Sequence, residues 1–244
     1  MSRLVALTRR EVTSYFVAPV PYLVMFFFLL MTYLAFQFSV QGYQAFVSYQ
    51  PVFSWLSFIL LFLIPLLTMN TVAEERSRNT LETLLTAPVA DWQVILAKWF
   101  GTFLFYVVML LPTLIYLPIL QHFGADIGKP DAGPVYASYL GALLLGGLYI
   151  SIGIFASSLT ENSLLSAFVA FFAMIGLIVF EVIPAVRNTA PGWIRTGAEY
   201  LSQQRHFEEF LKGRIAVHDV VYFVTTTALF LFLAVRALES RKWR

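Results

Sequence analysis

Cysteine is missing from the 244 residues altogether, which excludes disulfides, thiolate-held zinc and iron–sulfur clusters built from this chain alone. Charge is nearly as scarce. Asp, Glu, Lys and Arg make up 12% of the sequence, against roughly 25% in soluble domains, too little to cover a water-facing surface. The pattern G-x-x-x-x-G-K-[ST] does not occur. The one Gly-Lys pair, Gly128-Lys129, runs into Pro130, so no phosphate-cradling loop of that kind is present. The histidines His122, His206 and His218 show no H-E-x-x-H spacing, even where His206 is followed by Glu208 and Glu209, and no metal is expected. No serine sits in a nucleophile elbow. A net charge of +2 with scattered basic residues gives no reason to expect a nucleic-acid partner. Neither catalytic residues nor a cofactor on this chain are expected.

What the sequence has is apolar length. Hydrophobic residues reach 59%, with 24 phenylalanines, and the mean hydropathy is +0.75. A spanning helix needs about 20 predominantly apolar residues. Six stretches qualify, at about 21–40, 52–71, 92–120, 135–158, 163–185 and 219–238. The expected fold is therefore an all-α membrane protein of six transmembrane helices in one domain over 1–244, with no repeat and no second soluble unit. Arg3, Arg9, Arg10 and Glu11 precede a run long enough to span, so a cleavable signal peptide is not expected.

Basic residues set the orientation. With both termini inside, Arg3, Arg9, Arg10, Arg76, Arg78, Lys98, Arg236, Arg241, Lys242 and Arg244 are cytoplasmic. Lys129, Arg187, Arg195, Arg205, Lys212 and Arg214 are then outside, all but Lys129 in the long outer segment 186–218. Long connections bias topology weakly, so an N-in/C-in arrangement is expected. Residues 1–19 read as an interfacial helix, with Leu4, Leu7, Val12, Tyr15 and Phe16 opposite Arg3, Arg10 and Glu11, broken at Pro19 and Pro21. The fourth and fifth stretches are joined so tightly that they must be antiparallel neighbours. Gly147 with Ser151, and Gly153 with Ser157, form small-xxx-small pairs that permit close helix approach. Packing within one subunit is the first reading of them, and a seam between two copies stays open beside it. The aromatic-rich outer segment, with Pro191, Trp193, Tyr200, Phe207 and Phe210, is expected to place short helices over the outer mouth.

Charge concentrates in the inner loop 73–91, where Glu74, Glu75, Arg76, Arg78, Glu82 and Asp91 gather. Glu74–Arg78 and Arg78–Glu82 are helix-supporting i,i+4 pairs, and Asn79 with Glu82 has capping-box spacing. A short helix then carries Leu81, Leu84 and Leu85 on one face and closes at Pro88, while Asp91 is placed to cap the third span. Such a helix either rests its leucines on lipid or docks in a groove of a partner protein.

At these residues the chain resembles a known family. AEERSRNTLETLLTAPV followed by VILAKWFGTF is similar to the signature of permease subunits of ABC-2 type ATP-binding-cassette exporters. RREVTSYFVAPVPYL, SSLTENSLLSAFVAF and HFEEFLKGRIAVHDVVYFVTTTALFLF extend the likeness over nearly the whole chain, towards the gliding-motility-associated permease subgroup and the permease of nitrous-oxide-reductase copper-centre maturation. The resemblance implies that Glu74, Glu75 and Arg76 lead into a coupling helix from Thr80 to Ala87. Leu81, Glu82, Leu84 and Leu85 would carry its docking contact, and Pro88 would close it. Residues 3–16 would be the family's connecting helix. It further implies a separate ABC ATPase subunit holding ATP and magnesium, a second copy of the chain, the bacterial inner membrane, and room for a periplasmic accessory protein.

Two ionisable residues fall within spans. Lys98 lies near the inner end of the third and is expected to snorkel to the interface. Glu181, three residues before Pro184, either reaches the outer interface or faces the translocation path. Asp219 and Arg236 read as boundary markers. Besides the exporter, two readings stay open: a scaffold that uses ATPase binding to transmit force without moving a solute, and an ion-coupled carrier working through Glu181.

Overall fold

The computed structural model describes residues 3–42, 50–77, 90–123, 132–182 and 201–240, and every element among them is helical. In chain order these are α1 (Arg3–Val17), α2 (Pro19–Gly42), α3 (Gln50–Thr68), α4 (Ala73–Ser77), α5 (Asp91–Leu110), a 3-10 turn (Leu111–Ile115), α6 (Tyr116–Phe123), α7 (Ala132–Leu159), α8 (Ser163–Val182), α9 (Gln203–Leu211) and α10 (Val217–Glu239). Five helical runs, Pro19–Phe38, Gln50–Ser77, Asp91–Ile119, Gly133–Leu159 and Val217–Glu239, are long and apolar enough to cross a bilayer. The apolar part of α8, Ser163–Val179, is shorter over its described residues.

Local chemistry accounts for the breaks. Only Ala18 separates α1 from α2, and Pro19 opens the new helix at a position where a missing N–H costs nothing. The run over 92–120, read from sequence as one span, is one continuous helical run over Asp91–Ile119 that changes helix type partway. Pro112 cannot donate a backbone hydrogen bond, and the chain tightens into the 3-10 turn, where Thr113 donates to the Leu110 carbonyl at 2.7 Å. The start of α5 also differs from expectation. Ala90 is the cap residue, its N–H meeting Gln93 Oε1 at 3.3 Å, and Asp91 sits one position inside the helix. Between α7 and α8 the side chain of Asn162 accepts from Leu164 N at 2.9 Å and Leu165 N at 3.2 Å, satisfying two orphan donors of the new helix.

The centre of the molecule is α7, which packs against α3, α5, α8, α9 and α10. Its small residues make this possible. A Cβ at Gly153 would lie 2.1 Å from Thr68 Oγ1, and one at Gly146 would lie 2.2 Å from the Tyr106 ring. Tyr106 completes the contact by donating to the Ala142 carbonyl at 2.8 Å, and Trp99 Nε1 donates to the Gly147 carbonyl at 3.0 Å. The small-residue stripe of α7 is thus used for packing within the chain. Phenylalanines and leucines on α2, α8 and α10 point outward, among them Phe26, Phe168, Phe172, Leu229 and Phe232. These are the outer faces of a helical bundle whose solvent is hydrocarbon.

Candidate functional site

Of the residues singled out in the inner loop, Glu74, Glu75 and Arg76 lie on α4. Thr80, Leu81, Glu82, Leu84, Leu85 and Pro88 lie outside the described residues, as does the side chain of Glu181, whose backbone belongs to the last turn of α8. The site that takes shape is therefore the base from which the loop emerges.

That base is tied down from three directions. The first tie comes from the end of α7. Ser157 Oγ accepts from Val72 N at 3.1 Å and Ala73 N at 3.0 Å, and donates to the Met69 carbonyl at 3.2 Å. A serine on another helix thus satisfies the unpaired donors that open α4. The second tie is Arg76, whose guanidinium donates to the Ser158 carbonyl at 3.2 Å and meets Glu161 at 3.1 Å. Glu161 is solvated, so this ion pair is weak and the contact to the carbonyl does the positioning.

The third tie is Lys98. Its Nζ lies 2.8 Å from Glu75 Oε2 and 3.3 Å from Glu11 Oε1, and its side chain is 1% exposed. The expected snorkelling does not occur, because α1 lies across α5 and covers the lysine while supplying Glu11 as a partner. Glu11 accordingly faces the protein, where the sequence pattern set it on the polar side of α1. Removal of an ammonium from water is costly, and two carboxylates with part of their surface still hydrated compensate it. The approach of α1 to α5 is close. A Cβ at Gly101 would fall 2.6 Å from Glu11 Cβ. One turn further on, the Tyr15 hydroxyl and Thr102 Oγ1 are 2.8 Å apart, and Thr102 donates to the Lys98 carbonyl at 2.9 Å. Burial pushes the Tyr15 hydroxyl well above its ordinary pKa, with the Thr102 hydrogen bond opposing that shift, so it serves as a neutral strut.

A cleft of about 480 Å³ opens beside this network, bordered by Arg10, Glu11, Asn70, Glu74, Glu75 and Lys98. It adjoins the first turn of α4. Chemically the arrangement is a junction: two long helices and the N-terminal helix meet on one short segment through charged and capping contacts.

A second polar cluster was not foreseen. Beyond α7, Ser202 caps α9 by accepting from Arg205 N at 3.3 Å, and Gln203 donates to the Tyr149 hydroxyl. The chain then reverses at Gly213, whose φ of +77° is open to glycine at no steric cost and which packs on Pro134. This turn brings His206 Nδ1 to 2.6 Å from Asp219 Oδ1, and His218 Nε2 lies 3.0 Å from the same oxygen. Asp219 stands in the first turn of α10, at the span end where the sequence put it, and is fully buried there. The available signal was the glycine turn between two polar residues 13 apart, which folds α9 back on α10. Nearby, the hydrogen bond from Lys212 holds the Glu209 carboxyl below the usual carboxylate range.

No curated protein matches the chain. A family model described as ABC-2 family transporter protein matches residues 38–202, well over half of the sequence. The chain belongs to that family. It is a multi-pass membrane protein of the permease kind, and membership implies pairing with an ABC ATPase subunit on a separate polypeptide.

Proposed function

We propose that this member of the ABC-2 transporter family is the membrane half of an ATP-driven exporter in a bacterial inner membrane, with both termini cytoplasmic and two copies paired with two ATPase subunits. Residues 80–88 form the coupling helix in this reading, docking through Leu81, Glu82, Leu84 and Leu85, and the chain is taken as similar to the gliding-motility-associated permeases. ATP and magnesium are held by the partner. Supporting this is the base of the loop. Val72 and Ala73 are capped by Ser157 of α7, and Glu75 is paired with Lys98 of α5, itself paired with Glu11 of α1. The root of the segment is bonded to α7 and α5, with α1 joined through Lys98, so a pull on the loop is passed to those helices. ATP-driven closure of the ATPases draws the two coupling helices together and biases a rigid-body change in the path between the copies.

The test is Leu84→Asp, which places a charge in the proposed docking face. The variant is expected to reach the membrane and melt normally, yet to lose co-purification with its ATPase and to stop stimulating hydrolysis. Normal co-purification and turnover would overturn the docking assignment. A reconstituted complex that hydrolyses ATP under control of the permease but moves no solute would favour the force-transmitting scaffold.

A further inference from the structure

We infer that His206, His218 and Asp219 form a binding site for a divalent cation of the zinc class, bridging α9 and the first turn of α10. The site lies at the end of α10 remote from Arg236 and stands independently of the export reading.

The donor set is the first argument. Each of the three residues offers one ligand atom, and these atoms lie within 4.8 Å of one another. Two imidazoles and one carboxylate are the ligands that a borderline divalent metal takes, with three protein ligands leaving a fourth position for water. Asp219 Oδ1 is already near both imidazole nitrogens, at 2.6 and 3.0 Å. Ligand atoms about 2.0–2.2 Å from zinc stand roughly 3.3–3.6 Å apart in a tetrahedron, so a cation entering here needs His206 Nδ1 and Asp219 Oδ1 to part by about 0.7–1 Å, with the exposed His218 ring turning to meet it.

The second argument is an orphaned atom. Asp219 is 0% exposed, and its Oδ2 has no hydrogen-bond partner among the described residues. A fully buried carboxylate oxygen in that state is unusual, and a cation at this position would neutralise the carboxylate that carries it. The third is preorganisation. The His206 ring stacks on Tyr222 at 4.2 Å and 20°, and Tyr222 is itself anchored by donating to the Leu201 carbonyl at 2.9 Å. Asp219 is held in the first helical turn, its N–H bonded to the Ala216 carbonyl at 3.1 Å. Two ligands are therefore fixed by the fold. The third, His218, has a side chain 61% exposed, so it provides both the entry path and the freedom to adjust.

Binding would replace the His206–Asp219 hydrogen bond by two metal–ligand bonds and release any proton shared between them. The result is a clamp between the short helix α9 and the long helix α10.

The experiment uses the full-length chain in detergent, without a polyhistidine tag, stripped with chelator and titrated with Zn²⁺ against a chromophoric competitor. One Zn²⁺ per chain is expected, with a rise in melting temperature. Co²⁺ in its place should give the visible absorption of a low-coordinate site. Loss of a ligand should cost at least as much as loss of an outer-shell partner, so His218→Gln should weaken binding by about tenfold or more. Asp219→Asn should abolish it, and His122→Gln should leave it unchanged. Because His218 is exposed, its variant keeps the fold, which an unchanged metal-free melt will verify. Absence of stoichiometric binding in the parent protein would overturn the inference, as would unaltered affinity in His218→Gln.

Discussion

Lys98 stands between two carboxylates, and its replacement by methionine removes the positive charge while keeping the stem. Glu11 and Glu75 then face each other with neither paired to the lysine. Both keep some contact with water, so the expected loss is about 1–3 kcal/mol, the range for a buried polar group left unsatisfied and below that for breaking a wholly buried ion pair. Thermal unfolding in detergent would measure it, and Lys98→Met with Glu75→Gln should recover part of the loss. A single variant that melts with the parent would show that the ion pairs contribute nothing. Hydropathy treats Lys98 as one polar residue in an apolar run. The pairing with Glu11 joins positions 87 apart and depends on how α1 lies across α5, which no local pattern encodes. The burial of Asp219 was hidden for the same reason: its neighbours in sequence place it at a helix start, where it is, while its burial comes from α9 folding back over it.

Elements were easier to read than their interruptions. Apolar run length located the long helices because each must supply its own backbone hydrogen bonds in lipid. The 3-10 turn after α5 was invisible to that criterion, since Leu111–Ile115 is as apolar as what surrounds it and only Pro112 signals a break. Small residues behave similarly: sequence gives the spacing, and packing decides the use. Gly153→Ala would press a methyl against Thr68, and a loss of about 1–3 kcal/mol is expected from overpacking. Gly176→Ala on α8 meets nothing within 4 Å and should be neutral or slightly stabilising. Comparing the two melting temperatures tests whether α7 is the tightly packed helix. Equal behaviour would contradict that assignment.

Taken whole, the molecule turns an apolar stripe outward along α8, through Leu164, Leu165, Phe168 and Phe172. The lack of native cysteine makes single-cysteine spin labels clean reporters of that surface. A nitroxide at position 168 in a bilayer should be relaxed more by oxygen than by a water-soluble nickel complex, and one at position 142, inside the bundle, by neither. Dominant relaxation by nickel at 168 would remove α8 from the lipid boundary. At this scale the charge pattern marks the loop after α4 as water-facing, since ionised groups in so apolar a chain must collect where water is. What holds the loop was not legible, because Ser157, Lys98 and Glu11 come from three distant segments that only the folded bundle unites.

The uninterrupted α7 has a mechanical consequence. Its 28 residues make a rod about 42 Å long at 1.5 Å per residue. One end grips the root of the inner loop through Ser157, and the other underlies α9, where Gly141 meets Phe210. A continuous helix held at both places ties the packing of the α4 root to that of α9, so a shift of α7 along its axis would disturb the two contacts together.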